Sequence, residues 1–184
     1  MLFFALSRLG LPAAGVIAGL LAASYPTAAS AMRGLSIKLP DCVTVTFFAI
    51  GSLSVFVGGS LLLFFWKYCL VVLWGMFAGM AWSSIVLGAP FTLQYARETT
   101  PSEFWQHPIF LRTSLILSLA WASVFTLNLA ITGAAVGPIS PPWFAIVLPL
   151  LMIVGAIVFT ARYVAVVTRR VAAAYPSAVP SQQA

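Results

Sequence analysis

The sequence predicts an all-α membrane protein, a polytopic bundle of about five transmembrane helices. Hydrophobic residue types make up 62% of the chain and charged types only 7%, whereas a soluble domain has about 25% charged residues. The apolar residues are gathered in runs of about 17 to 23, the length of helix that crosses a hydrocarbon core about 30 Å thick. Backbone groups inside lipid must bond within their own segment, so these runs are predicted to be helices.

The predicted spans form one transmembrane domain over residues 1–170. A pair of glycines, Gly58 and Gly59, is expected to break the second apolar run. Residues 64–68 are predicted to form an interfacial turn, because Lys67 is costly in hydrocarbon and its aromatic neighbours suit the headgroup level. The tail, residues 171–184, is rich in Ala, Pro, Ser and Gln and is predicted to be disordered. The predicted spans are residues 9–32, 42–58, 69–87, 113–131 and 143–163.

The basic residues are divided unequally between the two ends of these spans. The net charge of +6 does not indicate nucleic-acid binding, because the basic residues stand singly at the ends of apolar runs, where they anchor to anionic membrane lipid. Two of them, Arg8 and Lys67, fall at one end. The positive-inside rule therefore places the N-terminus outside and the C-terminus in the cytoplasm. The other end holds seven: Arg33, Lys38, Arg97, Arg112, Arg162, Arg169 and Arg170.

The polar connection between the third and fourth spans is where we expect any function to lie. It is the longest polar stretch apart from the tail, and a connection between packed helices needs only about 2 to 8 residues. Helical spacing would place Gln94, Arg97 and Glu98 on one face. The segment is predicted to lie at the cytoplasmic surface, either as a docking surface or as an interfacial belt with one exposed ion pair. Its candidate interaction motif is Pro90, Phe91, Thr92, Gln94, Tyr95, Arg97 and Glu98.

Two local features are predicted at the end of this connection. Residues 100–103 read as a capping box, with Pro101 at the first helical position of a short helix. His107 is the single histidine in the chain and precedes Pro108. It is predicted to cap the fourth span or face water, since one histidine without spaced partners does not make a metal or haem site.

Polar residues inside the spans are few and uncharged. Ser118 and Asn128 on the fourth span are the principal intramembrane polar candidates. Hydrogen bonding between helices is the simpler interpretation, and a polar transport path is the alternative. No catalytic, nucleotide-binding or metal-binding motif is present, so the sequence predicts no enzyme activity, cofactor or metal site.

Small residues recur four apart in two spans. Gly15, Gly19 and Ala23 lie in the first span, and Gly75 and Gly79 lie in the third. This spacing lets helices approach closely, and it predicts packing within the bundle in preference to dimerisation.

The layout over residues 37–163 resembles the intracellular septation protein A family of bacterial inner-membrane proteins. A subgroup of that family carries a stretch similar to residues 90–98 of this chain. Other matching features are the basic linker before the second span, the hairpin with Trp66-Lys67, Pro90 followed eight residues later by Glu98, His107-Pro108-Ile109-Phe110, Trp121-Ala122 with Phe125, and a final span led by Trp143.

The resemblance implies a multi-pass protein of the bacterial inner membrane that is linked to envelope integrity and septation, without established catalytic chemistry. We therefore expect a non-catalytic protein that acts through membrane-protein partners at the cytoplasmic face. Two alternatives remain open at this point. One is a small-solute transporter or channel, and the other is an accessory subunit of a larger membrane complex.

Overall fold

The computed structural model describes residues 12–32, 36, 38–137 and 143–174, and these residues form helices and turns without a β-strand. The prediction of an all-α membrane bundle is confirmed. Six α-helices and one short 3-10 helix follow in order: α1 Pro12–Met32, α2 Leu39–Val57, α3 Gly59–Val86, α4 Thr92–Thr99, the 3-10 helix Ser102–Phe104, α5 Pro108–Ala134 and α6 Phe144–Ala174.

Four of the described helices, α2, α3, α5 and α6, are long and apolar enough to cross a membrane. The protein is therefore a multi-pass integral membrane protein. Helix α1, with 21 residues, is a fifth long helix and covers most of the first predicted span. The remainder of that span, residues 9–11, lies outside the described residues, as does the tail beyond Ala174.

The long helices pack mainly on their neighbours along the chain. Helix α1 packs on α2, α2 on α3, α3 on α5 and α5 on α6, while the short α4 packs on α5. The described helices therefore form an open row in which consecutive members run antiparallel. Two apolar clusters hold the row together, one around Phe47 and Phe65 and the other around Ala122 and Phe125.

The reversal between α2 and α3 is made at Gly58. Gly58 has φ 68° and ψ −157°, and Gly59 has φ 57°, so both adopt conformations that L side chains rarely reach. The expected break at this glycine pair is confirmed. Residues 64–68 do not form the expected turn, because the helix restarts at once and Phe65 packs on Phe47 with ring centroids 5.3 Å apart.

Several helices are longer than the predicted spans. Helix α3 has 28 residues, α5 has 27 and α6 has 31. At about 1.5 Å per residue these lengths exceed a hydrocarbon core about 30 Å thick. Residues 171–174, which were assigned to the disordered tail, continue α6. Hydropathy marks a stretch long enough to cross the lipid, but it does not determine where the helix itself begins and ends.

Candidate functional site

One end of the row collects most of the described charge. We call it the basic end; α2 and α5 begin there, and α3 and α6 end there. Lys67 lies in the first half of α3, toward the opposite end, with its Nζ 5.4 Å from the centroid of the Tyr68 ring. The described basic residues at the basic end are Lys38, Arg97, Arg112, Arg162, Arg169 and Arg170.

The first part of the predicted interaction motif is packed inside the protein. Pro90 is buried, and Phe91 is only 5% exposed. The chain leaves α3 at Val86 and turns back, so that Phe91 joins the cluster of Ala78, Ala81 and Phe125. An aromatic residue directly after a span would be expected to anchor the connection at the membrane surface, but Phe91 is buried inside the protein instead. Small side chains on α3 leave room for the ring, and burial of an apolar ring favours this position.

A buried network of hydroxyl groups holds the chain where it turns back. The Phe91 backbone N–H donates to the Ser84 hydroxyl over 3.1 Å. The Thr92 hydroxyl donates to the Ser114 carbonyl over 2.7 Å, which leaves the Ser118 hydroxyl to donate to Thr92 over 2.8 Å. The Thr92 backbone N–H also points at the Ser118 hydroxyl, at 3.4 Å. Ser118 thus fixes α4 on α5, in line with the hydrogen-bonding interpretation.

Helix α4 is also tied to the start of α2. The Leu39 backbone N–H donates to the Gln94 side-chain oxygen over 2.9 Å, which satisfies one of the donors left open at a helix start. Lys38 Nζ lies 3.0 Å from Glu98 Oε2 and 4.7 Å from the centroid of the Tyr95 ring. Gln94 and Glu98 therefore face α2 and are not free for a partner in the way that their spacing had suggested.

Arg97 and the residues after α4 form the outer surface of the connection. The Arg97 guanidinium lies 5.1 Å from the centroid of the Trp105 ring, and Trp105 Nε1 donates to the Thr100 carbonyl over 2.9 Å. The expected capping box does not form: Pro101 occupies the N-cap position, and its side chain makes no capping hydrogen bond. Arg97, Glu103 and Phe104 remain exposed.

His107 caps α5 as predicted. Its Nδ1 accepts a hydrogen bond from the Ile109 backbone N–H over 3.3 Å, and Pro108 occupies the first turn of the helix. Within the described part of the chain, no group of three or more His, Cys, Asp or Glu side chains is placed to hold a metal ion.

Asn128 is the second intramembrane candidate, and its surroundings differ from those of Ser118. It is fully buried, and neither its side-chain oxygen nor its side-chain nitrogen has a hydrogen-bond partner. Its backbone carbonyl accepts from the Thr132 hydroxyl over 2.8 Å. Trp74 Nε1 on α3 is likewise buried without a partner. Sequence reasoning missed Trp74, because the sequence of an apolar span does not show whether the indole N–H of a tryptophan finds a hydrogen-bond acceptor.

Comparison with protein-family models, with curated proteins and with solved structures finds no match to this chain. What the connection and the buried amide can do is therefore decided by their own geometry and chemistry.

Proposed function

We propose that this integral membrane protein is non-catalytic and acts through membrane-protein partners in cell-envelope maintenance or septation, at the basic end of its helices. The observation that carries the proposal is the way α4 is held. Hydrogen bonds from α5 and an ion pair from α2 fix it, while Arg97, Glu103 and Phe104 stay exposed on the outer surface of the connection.

A fixed outer surface of this kind suits recognition by another protein. Its members are an arginine, a carboxylate and an aromatic ring, and Arg and aromatic residues are enriched at protein interfaces. Because α4 is already anchored, little conformational entropy is lost when a partner binds. The resemblance to the septation protein A family supports the assignment to envelope maintenance, since the stretch that resembles its subgroup, residues 90–98, covers most of α4.

The proposed location is the bacterial inner membrane, with the N-terminus outside and the C-terminus in the cytoplasm. The support is the unequal distribution of basic residues, which favours a cytoplasmic basic end. A cysteine introduced by Ser102→Cys, in a background with both native cysteines replaced by serine, should react with an impermeant maleimide only after the membrane is opened. Labelling of intact spheroplasts from the periplasmic side would contradict this orientation.

Site-specific photo-crosslinking tests the partner surface. A photoreactive residue at position 104 should give a discrete adduct with a protein in native membranes. The same residue at position 127, where Leu127 is exposed on α5, should give none. The variant Arg97→Ala with Glu103→Ala should abolish the adduct and impair envelope maintenance, while the amount of the protein in the membrane is unchanged. A stoichiometric partner that survives purification would identify the chain as an accessory subunit of a larger complex.

Asn128 supports a second candidate function, a small-solute transporter or channel. An amide without a partner is costly in a membrane interior, and a passing solute is one group that could satisfy it. Solute flux in proteoliposomes that Asn128→Leu abolishes would favour this function. If the Arg97 and Glu103 double variant is fully functional while Asn128→Leu is inactive, the transporter replaces the partner-binding protein.

A further inference from the structure

A cleft of about 480 Å³ lies between α5 and α6 at the basic end. This volume falls in the range of about 300 to 1,000 Å³ that is usual for ligand sites. The cleft is formed by the first turns of α5 and the last turns of α6. Its lining includes Arg112, Thr113 and Ile116 from α5, and Tyr163, Val167 and Arg170 from α6.

The register of the two helices brings the arginines to the same level. Trp121 Nε1 on α5 donates to the Thr160 hydroxyl on α6 over 3.1 Å, which fixes the antiparallel pair. Arg112 precedes Trp121 by nine residues, and Arg170 follows Thr160 by ten. At about 1.5 Å per residue, both arginines stand about 14 to 15 Å from that bond toward the basic end.

The positive charge of the cleft is not neutralised by the chain. None of the lining residues is acidic. In the described part of the chain, the ion pair that forms joins Lys38 to Glu98, and neither residue lines the cleft. The two other acidic residues, Asp41 and Glu103, lie at the start of α2 and in the 3-10 helix, and neither forms an ion pair with Arg112 or Arg170.

The cleft carries its two arginines in its outer half, and apolar side chains such as Ile116 and Val167 lie deeper toward the membrane. Arg112 lies at the border of the predicted fourth span, and Arg170 lies beyond the predicted end of the fifth. On the same rise per residue, Thr113 lies close to Arg112, Ile116 lies deeper, and Tyr163 lies deepest, about 5 Å from the bond between Trp121 and Thr160. A charged outer half with apolar side chains deeper in the membrane suits the phosphate headgroup and the acyl chains of a phospholipid.

We infer that this cleft is a binding site for an anionic glycerophospholipid, whose phosphate lies between Arg112 and Arg170. Arginine binds phosphate through two parallel N–H donors, and basic clefts between transmembrane helices bind anionic headgroups. The acyl chains would lie along Ile116 and the lipid-facing side of α6. The inference does not depend on the proposed partner surface around Arg97.

Native mass spectrometry of the full chain, released from detergent with phosphatidylglycerol or phosphatidylcholine added, tests the site. The wild-type protein should retain phosphatidylglycerol in preference to phosphatidylcholine. The variant Arg112→Gln with Arg170→Gln should reduce the retained phosphatidylglycerol by about tenfold, to the level of phosphatidylcholine. The matched control is Arg97→Gln, which removes a basic residue at the same end but outside the cleft and should leave retention unchanged.

A second variant separates charge from shape. Val167→Phe keeps both arginines but fills the cleft, and it should also lose the bound lipid while eluting as a folded protein. The inference would be overturned if Arg97→Gln lost as much bound phosphatidylglycerol as the double variant. It would also be overturned if the double variant and Val167→Phe both retained the lipid in full. Displacement of the lipid by millimolar inorganic phosphate that itself remains bound would identify a free-phosphate site and would equally overturn the lipid assignment.

Discussion

The hydroxyl groups of Thr92 and Ser118 lie 2.8 Å apart and bind each other in the buried contact between α4 and α5. Ser118 is 0% exposed, and it is surrounded by protein and not by a water-filled path. A serine that reads from sequence as a possible transport residue thus serves to anchor the polar connection. Removal of the Ser118 hydroxyl is therefore expected to loosen the attachment of α4 to α5.

Ser118→Ala is expected to loosen α4 and lower the free energy of unfolding by about 1 kcal/mol, because the Thr92 backbone N–H loses its acceptor. Unfolding in mixed micelles measures the free energy, and hydrogen exchange of residues 90–95 reports on the local release. Ser123→Ala is the matched control, since Ser123 is exposed and bonds only to the Leu119 carbonyl in its own helix. Equal effects of the two changes would contradict the anchoring role.

The packing of α1 on α2 depends on Gly19. A Cβ atom at this position would overlap the Phe48 ring, whereas a Cβ atom at Gly79 on α3 would meet nothing within 4 Å. Gly19→Val should therefore separate α1 from α2 and lower stability by about 1 to 3 kcal/mol. Gly79→Val should not lower stability, because the added side chain meets open space and valine has a higher helix propensity than glycine. Crosslinking between cysteines placed on the facing sides of α1 and α2 measures the separation of the two helices. Similar losses of crosslinking in both variants would contradict the role of Gly19 in this packing.

Hydropathy was sufficient to predict the helical class, because continuous apolar runs in lipid allow few other structures. It could not predict the path of the polar connection. Phe91 follows a span, as an interfacial anchor would, and only the small side chains facing it on α3 allow its burial. The partner of Glu98 was equally hidden. Local spacing pointed to Arg97, whereas the ion pair forms with Lys38, which lies 60 residues earlier and is brought close by the hairpin of α2 and α3.

Tyr95 is expected to stay protonated to unusually high pH. Burial, together with the nearby negative charges of Asp41 and Glu98, raises the pKa of Tyr95 to about 12. Because the folded protein holds the phenol proton more tightly than the unfolded chain, the contribution to stability is present below about pH 10 and is lost as the pH rises toward 12. The difference in tyrosinate absorbance between wild type and Tyr95→Phe measures this titration.

Glu98→Gln provides a control for the electrostatic part of this shift. It removes one of the two negative charges and should lower the pKa of Tyr95 while burial of the ring is unchanged. A difference spectrum that titrates near pH 10 in the wild-type protein would show that the ring is solvated and that α4 is not held against α2.

Asn128→Leu is expected to leave the fold intact and to raise the free energy of unfolding by about 1 kcal/mol or leave it unchanged. The amide is fully buried with both polar atoms unpaired, and removal of an unpaired polar group from an apolar interior carries no loss of hydrogen bonding. Thr132→Val is the contrasting change, because Thr132 bonds to the Asn128 backbone carbonyl, and it should lower stability slightly. Unfolding of both variants in the same micelles gives the comparison.

A loss of more than about 1 kcal/mol in Asn128→Leu would mean that the amide is paired in the membrane, for example through a water shared with Trp74 Nε1. If Asn128→Leu keeps the stability of the protein but loses solute flux, the amide serves transport, because it is needed for flux and does not stabilise the fold.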